Sequence, residues 1–329
     1  MIINEVDIIE KMLRGGKKMK HTKGIHHISA IVGHPQENVD FYAGVLGLRL
    51  IKQTVNFDDP STYHLYFGDE GGKPGTIITF FPWANGAKGK SGGGQVGVTT
   101  FIIPVDSMDF WKKRLSTHMI EYHETERFGE IYLQFNDPHG LQLELVERAE
   151  GERNNWTFGD VTPNVGIKGF GGAILYSVRP EETIQTLEKV MGLENIATEG
   201  DLTRLKASGE IGNVIDVVRT AVDRGRMGAG TVHHIAWRAD DKEDHIDWQS
   251  HVAKHGYGVT NIKDRNYFDA IYFRERGEIL FEIATDGPGF THDESFETMG
   301  EALKLPLQYE EDRKELEEQL IPFEVRVLD

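Results

Sequence analysis

Gly24–Leu48 reads GIHHISAIVGHPQENVDFYAGVLGL, and Gly169–Leu193 reads GFGGAILYSVRPEETIQTLEKVMGL. A shift of 145 positions lays Gly24 on Gly169, Pro35 on Pro180, Gly47 on Gly192 and Leu48 on Leu193 without a gap. Each copy reads as a strand, a proline turn, a helix and a Gly-Leu stop. The helical part of the first carries Val39, Phe41, Tyr42, Val45 and Leu46, and that of the second Ile184, Leu187, Val190 and Met191, apolar at helical spacing. The chain repeats a structural unit, which sets the fold before any single residue is weighed.

Two further stretches follow the same plan. One begins Val98-Thr-Thr-Phe-Ile-Ile-Pro-Val, predicts a helix near Phe110–Leu115, and closes with strands at Ile131-Tyr-Leu-Gln-Phe and Leu141-Gln-Leu-Glu-Leu-Val. The other begins Val232-His-His-Ile-Ala-Trp, predicts a helix near His245–Lys254, and closes with Ala270-Ile-Tyr-Phe and Ile279-Leu-Phe-Glu-Ile. In both, a Phe (Phe135, Phe273) stands nine positions before a Glu (Glu144, Glu282). The expected class is α+β, with four βαβββ units. The expected division is an extension at 1–23, an N-terminal domain of two units at 24–150, a linker rich in Gly, Pro and Asn at 151–168, a C-terminal domain of two units at 169–290, and a helical tail at 291–329. One face of such a unit takes the helix, and the other curls into a cup that a second unit completes. A cup lined by strand side chains is a natural small-molecule site.

The 329 residues carry a formal net charge of −17, which argues against nucleic acid or an anionic membrane as the main partner. Cysteine is absent, so disulfides, iron–sulfur clusters, thiolate zinc sites and cysteine nucleophiles are excluded. Any metal must be held by His, Asp or Glu. No apolar run approaches the ~18–20 residues of a membrane span, and residues 1–20 lack the pattern of a secretory signal, so a cytoplasmic location is expected. The N-terminal stretch reads as a surface helix from about Val6 to Leu13, ended by Gly15-Gly16. A second reading starts translation at Met19, because Arg14-Gly15-Gly16 is encodable by purine-rich codons resembling a ribosome-binding site. An intact mass of the native protein that includes residues 1–18 excludes this.

Two first strands open alike, with His26-His27-Ile28 and His233-His234-Ile235. Strict alternation along a strand puts one imidazole of each pair on each face. The second of each pair has a small residue two places on (Ser29, Ala236), so His27 and His234 are expected inside the cup, and His26 and His233 toward the helices. In the last strand Ile279, Phe281 and Ile283 form an apolar face, leaving Glu282 on the cup face, where an unpaired charge is costly. Two His and one carboxylate with open positions form the facial triad of non-haem Fe(II) oxygenases. The histidine strands belong to the first and fourth units, so the cup should form between them. Glu144 faces first strands without His (Thr99-Thr100, Gly171-Gly172) and reads as a degenerate site kept for packing or an ion pair.

Other features are weaker. Ala84-Asn-Gly-Ala-Lys-Gly89-Lys90-Ser91 misses a phosphate-binding loop at its first position and reads as a mobile loop. His64, in Thr62-Tyr-His-Leu-Tyr-Phe67, faces either cup or solvent. His118, His123, His139, His245, His251 and His255 are expected in solvent. The acidic tail helix, about Tyr309–Leu320, reads as a solvated face packed by Leu316 and Leu320, or else a lid.

The four units, the HHI strand starts and FEIATD around Glu282 resemble the vicinal-oxygen-chelate superfamily (glyoxalases, bleomycin-resistance proteins, extradiol dioxygenases), whose half-barrel domains pair in twos. More narrowly, GIHHISAI, VNFDDPSTYHLYFGD, PGTIITFFPW and ILFEIATDGPGF resemble the ring-cleaving, hydroquinone-specific dioxygenases of bacilli, over about Gly24 to the C-terminus. The resemblance implies iron, O2, an aromatic diol or hydroquinone as substrate, and a role in quinone detoxification. Extradiol enzymes also place a Tyr ten residues before the Glu ligand. Here that is Tyr272, which by the resemblance hydrogen-bonds a substrate oxygen. The acid–base His familiar in those enzymes is missing ahead of His234. His64 and Tyr272 stand as the catalytic candidates, with Tyr66, Arg265 and Asp269 as substrate neighbours and Trp83, Phe80 and Phe268 as apolar lining.

The leading expectation is an Fe(II)-dependent extradiol-type ring-cleaving dioxygenase, with Mn, Zn or Ni as alternative metals on purification. Its partners are a small aromatic substrate and O2, with a homodimer left open. The alternatives are a glyoxalase-like lyase or isomerase, which wants a second carboxylate where the first unit's last strand has Thr79, Phe80 and Phe81, and a sequestering module without turnover.

Overall fold

The computed structural model describes residues 19–328; the helix expected at Val6–Leu13 lies outside them. The first unit comprises β1 (Ile25–Val32), α1 (Pro35–Val39), β2 (Arg49–Asn56), β3 (Asp59–Gly68) and β4 (Ile77–Pro82). Pro35 opens α1 behind the His34 cap, whose side chain accepts from the Gln36 amide, and the helix runs on as a π-helical turn, Asp40–Val45. The second unit is β5 (Gln95–Ile103), α2 (Met108–Thr117), β6 (Tyr122–Arg127), β7 (Glu130–Asn136) and β8 (Gln142–Glu147). The third is β9 (Gly169–Tyr176), α3 (Pro180–Lys189), β10 (Glu194–Glu199), β11 (Leu202–Lys206) and β12 (Val214–Val218). The fourth is β13 (Thr231–Ala239), α4 (Lys242–Lys254), β14 (Lys263–Asp264), β15 (Phe268–Arg274) and β16 (Leu280–Pro288). All four units therefore have the expected βαβββ plan.

The units join as two curled eight-stranded sheets. One runs β14-β15-β16-β13-β1-β4-β3-β2 and so unites the fourth unit with the first; the other runs β10-β11-β12-β9-β5-β8-β7-β6 and unites the third with the second. Each sequence half contributes one unit to each sheet. Central strands pair antiparallel, β1 with β13 and β5 with β9, giving each sheet an approximate two-fold axis at its middle. The helices cover one face of each sheet through Trp111 and Leu115 of α2, Leu187 of α3 and Trp248 and Val252 of α4, all buried. Gly24 and Gly169, the first matched pair of the repeat, lie where the sheets meet. The Ile25 amide donates to the Gly212 carbonyl and the Phe170 amide to the Gly75 carbonyl, each at 2.8 Å. Gly24 has φ +131°, and a Cβ there would sit 2.5 Å from the Gly212 oxygen, so backbone contact requires glycine.

The loop over residues 84–94 is fixed rather than loose. Its Gly89 and Lys90 amides donate to the Ala229 and Arg226 carbonyls at 2.8 Å, and isolated bridges tie it to the segment 224–229 that precedes β13. The tail is two short helices, a 3₁₀ turn at Leu307–Asp312 and α5 at Arg313–Gln319. Leu305, Leu316 and Leu320 pack on Val55, and the Tyr309 hydroxyl donates to the Phe57 carbonyl at the β2–β3 turn. Lys52 of β2 is wholly buried and paired with Asp293 and Glu294, so the segment after β16 seals the edge strand. No helix among the described residues is long and apolar enough to cross a membrane.

Candidate metal centre

His27 on β1, His234 on β13 and Glu282 on β16 converge in the cup of the first sheet and are buried. The imidazole Nε2 atoms lie 3.2 Å apart, and Oε2 of Glu282 lies 3.5 Å from His27 Nε2 and 2.8 Å from His234 Nε2. Donor atoms about 2.1 Å from one ion at tetrahedral or octahedral angles sit roughly 3.0–3.4 Å from each other, so the triangle is close to coordination size. Neither oxygen of Glu282 accepts a well-directed hydrogen bond, although the carboxylate is wholly buried. Three buried ligand atoms converging on a common point are what a divalent cation satisfies. Burial alone raises a carboxyl, but the two imidazoles outweigh it and hold Glu282 well below the usual range, while burial lowers His234. Anionic carboxylate and neutral imidazole are the ligand forms.

The first histidine of each pair does not turn to the helices. The β1–β13 register slips at His26 and again at His233, a bulge on each strand that inserts one residue and breaks the alternation. The imidazoles of His26 and His27 therefore stand together, Nδ1 to Nδ1 at 2.9 Å, and those of His233 and His234 likewise at 2.7 Å. Burial pushes His26 well below its ordinary value and His233 down to about 3, so both are neutral and accept the Nδ1–H of the inner ring. An outer ring that accepts in this way favours the tautomer of His27 and His234 whose Nε2 can bind a metal.

Beside the triad lies a cavity of about 210 Å³. One wall, from the fourth unit, holds Tyr272, Arg265 and Phe268; the other, from the first, holds His64, Tyr66 and Phe81, with Trp83 at the rim. Tyr272 and Glu282 are direct cross-strand partners on β15 and β16, so the turn at Gly277 keeps them on one face. The Arg265 Nε–H donates to the Tyr272 hydroxyl at 3.3 Å, and burial raises Tyr272 well above the ordinary phenol value, keeping it protonated. His64 faces the cup. Its Nδ1 is 2.8 Å from the Tyr66 hydroxyl and its Nε2 2.9 Å from Thr79 Oγ1, which meets Ser29 Oγ at 2.7 Å. Burial keeps His64 neutral, and the chain Tyr66–His64–Thr79–Ser29 can carry its hydrogens in either direction. Asp269 is not among the cavity residues; its carboxylate pairs with Lys242 of α4 at 3.1 Å. Phe80 stacks in the core with Tyr42 at 4.2 Å, away from the cavity, whereas Phe268 lies 4.9 Å from the His27 ring. Of the histidines expected in solvent, His245 is buried and its Nε2 donates to the Ile283 carbonyl at 2.8 Å.

The two-fold of the sheet exchanges His27 with His234. Ala236, two places after His234, pairs with Glu282, and Ser29, two places after His27, pairs with Thr79. Thr79 is thus the symmetry mate of Glu282, and the fourth ligand position holds a hydroxyl. In the other sheet both positions keep acids, Glu144 on β8 and Asp216 on β12, but no imidazole faces them. Arg127 donates to Glu144 at 2.7 Å and to Asp216 at 2.9 Å, Arg204 donates to Asp216 at 2.8 Å, and Thr100 and Gln134 complete the shell of Glu144. The guanidinium groups stand where the first cup has its ligand cluster, so the degenerate site is an ion-pair network.

The sequence pattern of the Glyoxalase/Bleomycin resistance protein/Dioxygenase superfamily matches residues 24–145 and 170–283. The chain belongs to this superfamily. It is 67% identical over 310 residues to a protein of Bacillus subtilis (strain 168) named "Putative ring-cleaving dioxygenase MhqO", covering 94% of this chain and 99% of that one. It is 34% identical over 307 residues to the "Chlorohydroquinone/hydroquinone 1,2-dioxygenase" of Sphingobium indicum, covering 90% and 95%. A crystal structure from Bacillus subtilis subsp. subtilis str. 168, 67% identical, superposes with a TM-score of 0.93 over 94% of this chain and 100% of that chain. Glyoxalase I from Zea mays, at 12% identity, a TM-score of 0.60 and coverage of 80% and 92%, shares the fold. Membership of this superfamily and the three converging side chains together support a metal cofactor.

Proposed function

We propose that the protein is an Fe(II)-dependent extradiol-type dioxygenase that opens the ring of a hydroquinone or catechol-like aromatic. The observation that carries this reading is the two-His, one-carboxylate cluster with its fourth position left to Thr79, set at the wall of an aromatic-lined cavity. The names of the relatives point the same way. His27, His234 and Glu282 would hold the metal. Iron held by these three side chains would supply one-electron chemistry toward O2 and would lower the pKa of a bound diol.

The chain's own groups do the rest. Tyr272, kept protonated by burial and oriented by Arg265, donates a hydrogen bond to the substrate oxygen. The Tyr66 hydroxyl, hydrogen-bonded to Nδ1 of His64, is placed to accept a hydrogen bond from a substrate hydroxyl, and the His64–Thr79–Ser29 chain holds it in that orientation. Phe81, Phe268 and Trp83 hold the ring and keep water away. Consuming a hydroquinone in this way removes it before it reoxidises to a quinone, which gives the reaction its role in detoxification. A lyase or isomerase of the glyoxalase type wants the second carboxylate that Thr79 replaces.

Purification without air, metal analysis, then O2 uptake on hydroquinones and catechols tests the reading. Loss of aromatic absorbance with stoichiometric O2 consumption in the iron-loaded protein is expected. Tight ligand binding without O2 uptake would instead mark a sequestering protein.

A further inference from the structure

We infer that Asp58 is a specificity-determining residue: by occupying Arg265 it reserves the cavity for uncharged aromatic diols and turns away carboxylated ones. This rests on the ring-cleavage reading above. Apart from the histidines, the ionisable side chains at the cavity wall that carry charge are Glu282, Arg265 and Asp58. Glu282 is directed to the metal position, so Arg265 is the one cation there that an acidic substrate could use among the described residues.

That cation is already engaged. Its Nη2 donates to Asp58 Oδ2 at 3.1 Å, its Nε donates to Tyr272, and its guanidinium lies 5.6 Å from the Phe57 ring and 5.5 Å from the Tyr272 ring. A carboxylate binds arginine best through two parallel N–H groups, and this fork is divided between two neighbours. The pair also spans the mouth. Asp58 comes from the β2–β3 turn of the first unit and Arg265 from the β14–β15 turn of the fourth, so the contact closes over the sheet's two-fold. Asp58 is 65% exposed at its side chain and has Lys263 at 3.8 Å. An incoming carboxylate must displace Asp58 from Arg265 and then sit beside the displaced charge. Discrimination of this kind works by penalising the wrong ligand. To an uncharged diol the wall offers the rings of Phe57, Phe81 and Trp83, and neither ion of the pair has to be displaced.

The test compares wild type, Asp58→Asn and Asp58→Ala with Asp59→Asn. This last variant removes the same charge from a neighbouring carboxylate that is bonded to Ser61. O2 uptake by the iron-loaded protein gives kcat/KM for methylhydroquinone and for 2,5-dihydroxybenzoate. Anaerobic titration with 4-methylphenol and 4-hydroxybenzoate, followed by tryptophan fluorescence, gives the same neutral-to-acid comparison without turnover. Wild type should favour the neutral member of each pair by about tenfold or more, and both Asp58 variants should cut that preference about tenfold. Asp59→Asn should leave it within about twofold. The inference is overturned if the Asp58 variants, with metal content and melting temperature like wild type, keep the wild-type preference, or if wild type accepts the acids as readily as the neutral compounds. Absence of O2 uptake with every diol would sink the ring-cleavage reading, while the phenol titration would still decide the role of Asp58.

Discussion

At the scale of the residue, the centre is defined by what its atoms lack. Glu282 is buried with both oxygens unsatisfied, and without a cation it is a liability. Glu282→Leu should therefore bind no stoichiometric metal, and its melting temperature should no longer respond to added metal as that of wild type does. Calorimetry on chelator-treated protein, with metal analysis, checks both halves. Tyr272 makes a separate contribution. Tyr272→Phe keeps the ring and loses the donor, so kcat should fall about a hundredfold or more with a small change in KM. Since burial raises this phenol, its ionisation should not limit activity as pH rises toward its ordinary value near 10; a pH profile of wild type that lacks a descending limb from Tyr272 is the expected outcome.

At the scale of the element, the two bulges on the central strands decide how the histidines work. A regular strand would have sent His26 and His233 to the helix side. The inserted residue instead seats each imidazole against the Nδ1 of its neighbour. His26→Ala and His233→Ala should each weaken metal affinity about 10–100-fold without abolishing it, measured by competition with a coloured chelator. A variant that retains an acceptor, such as His26→Asn, should recover part of the loss. If the alanine variants bind metal as wild type does, the outer histidines only fill space.

At the scale of the whole molecule, one architecture is used twice and for opposite ends. The first-and-fourth-unit sheet gathers a carboxylate and two imidazoles at one point; the second-and-third-unit sheet fills the equivalent place with arginines. Arg127→Leu leaves Glu144 and Asp216 short of a partner and should cost about 3–5 kcal/mol of stability with metal content unchanged, readable by denaturant unfolding. The network also has a pH signature. Against the opposing effect of burial, hydrogen bonds from Arg148 and Tyr132 hold Glu130 at about 2. A carboxyl lowered in the folded state stabilises above its unfolded value, near 4.5, and loses that contribution as pH falls toward 2. Glu130→Gln should lower the melting temperature near neutrality and flatten its drop across that window, because the contribution of the lowered carboxyl is then absent at every pH.

The repeat, the βαβββ plan and the convergence of residues 27, 234 and 282 were legible in the chain, because periodicity, glycine and proline positions, and the cost of burying a lone acid are local or compositional facts. Glu144 was legible as a degenerate site for the same reason: its facing strands have no histidine. What the tertiary structure alone decided is everything that depends on register. A bulge is one extra residue in a pairing, invisible until the partner strand is in place, so the outer histidines were expected on the wrong face. His64, open between cup and solvent, was settled by the strand that lies beside it and offers Thr79. Likewise Asp269 and Lys242, or Asp58 and Arg265, are pairs made by strands and turns distant in sequence. Side-chain type is written in the chain, but which charge meets which is fixed only when the sheets close.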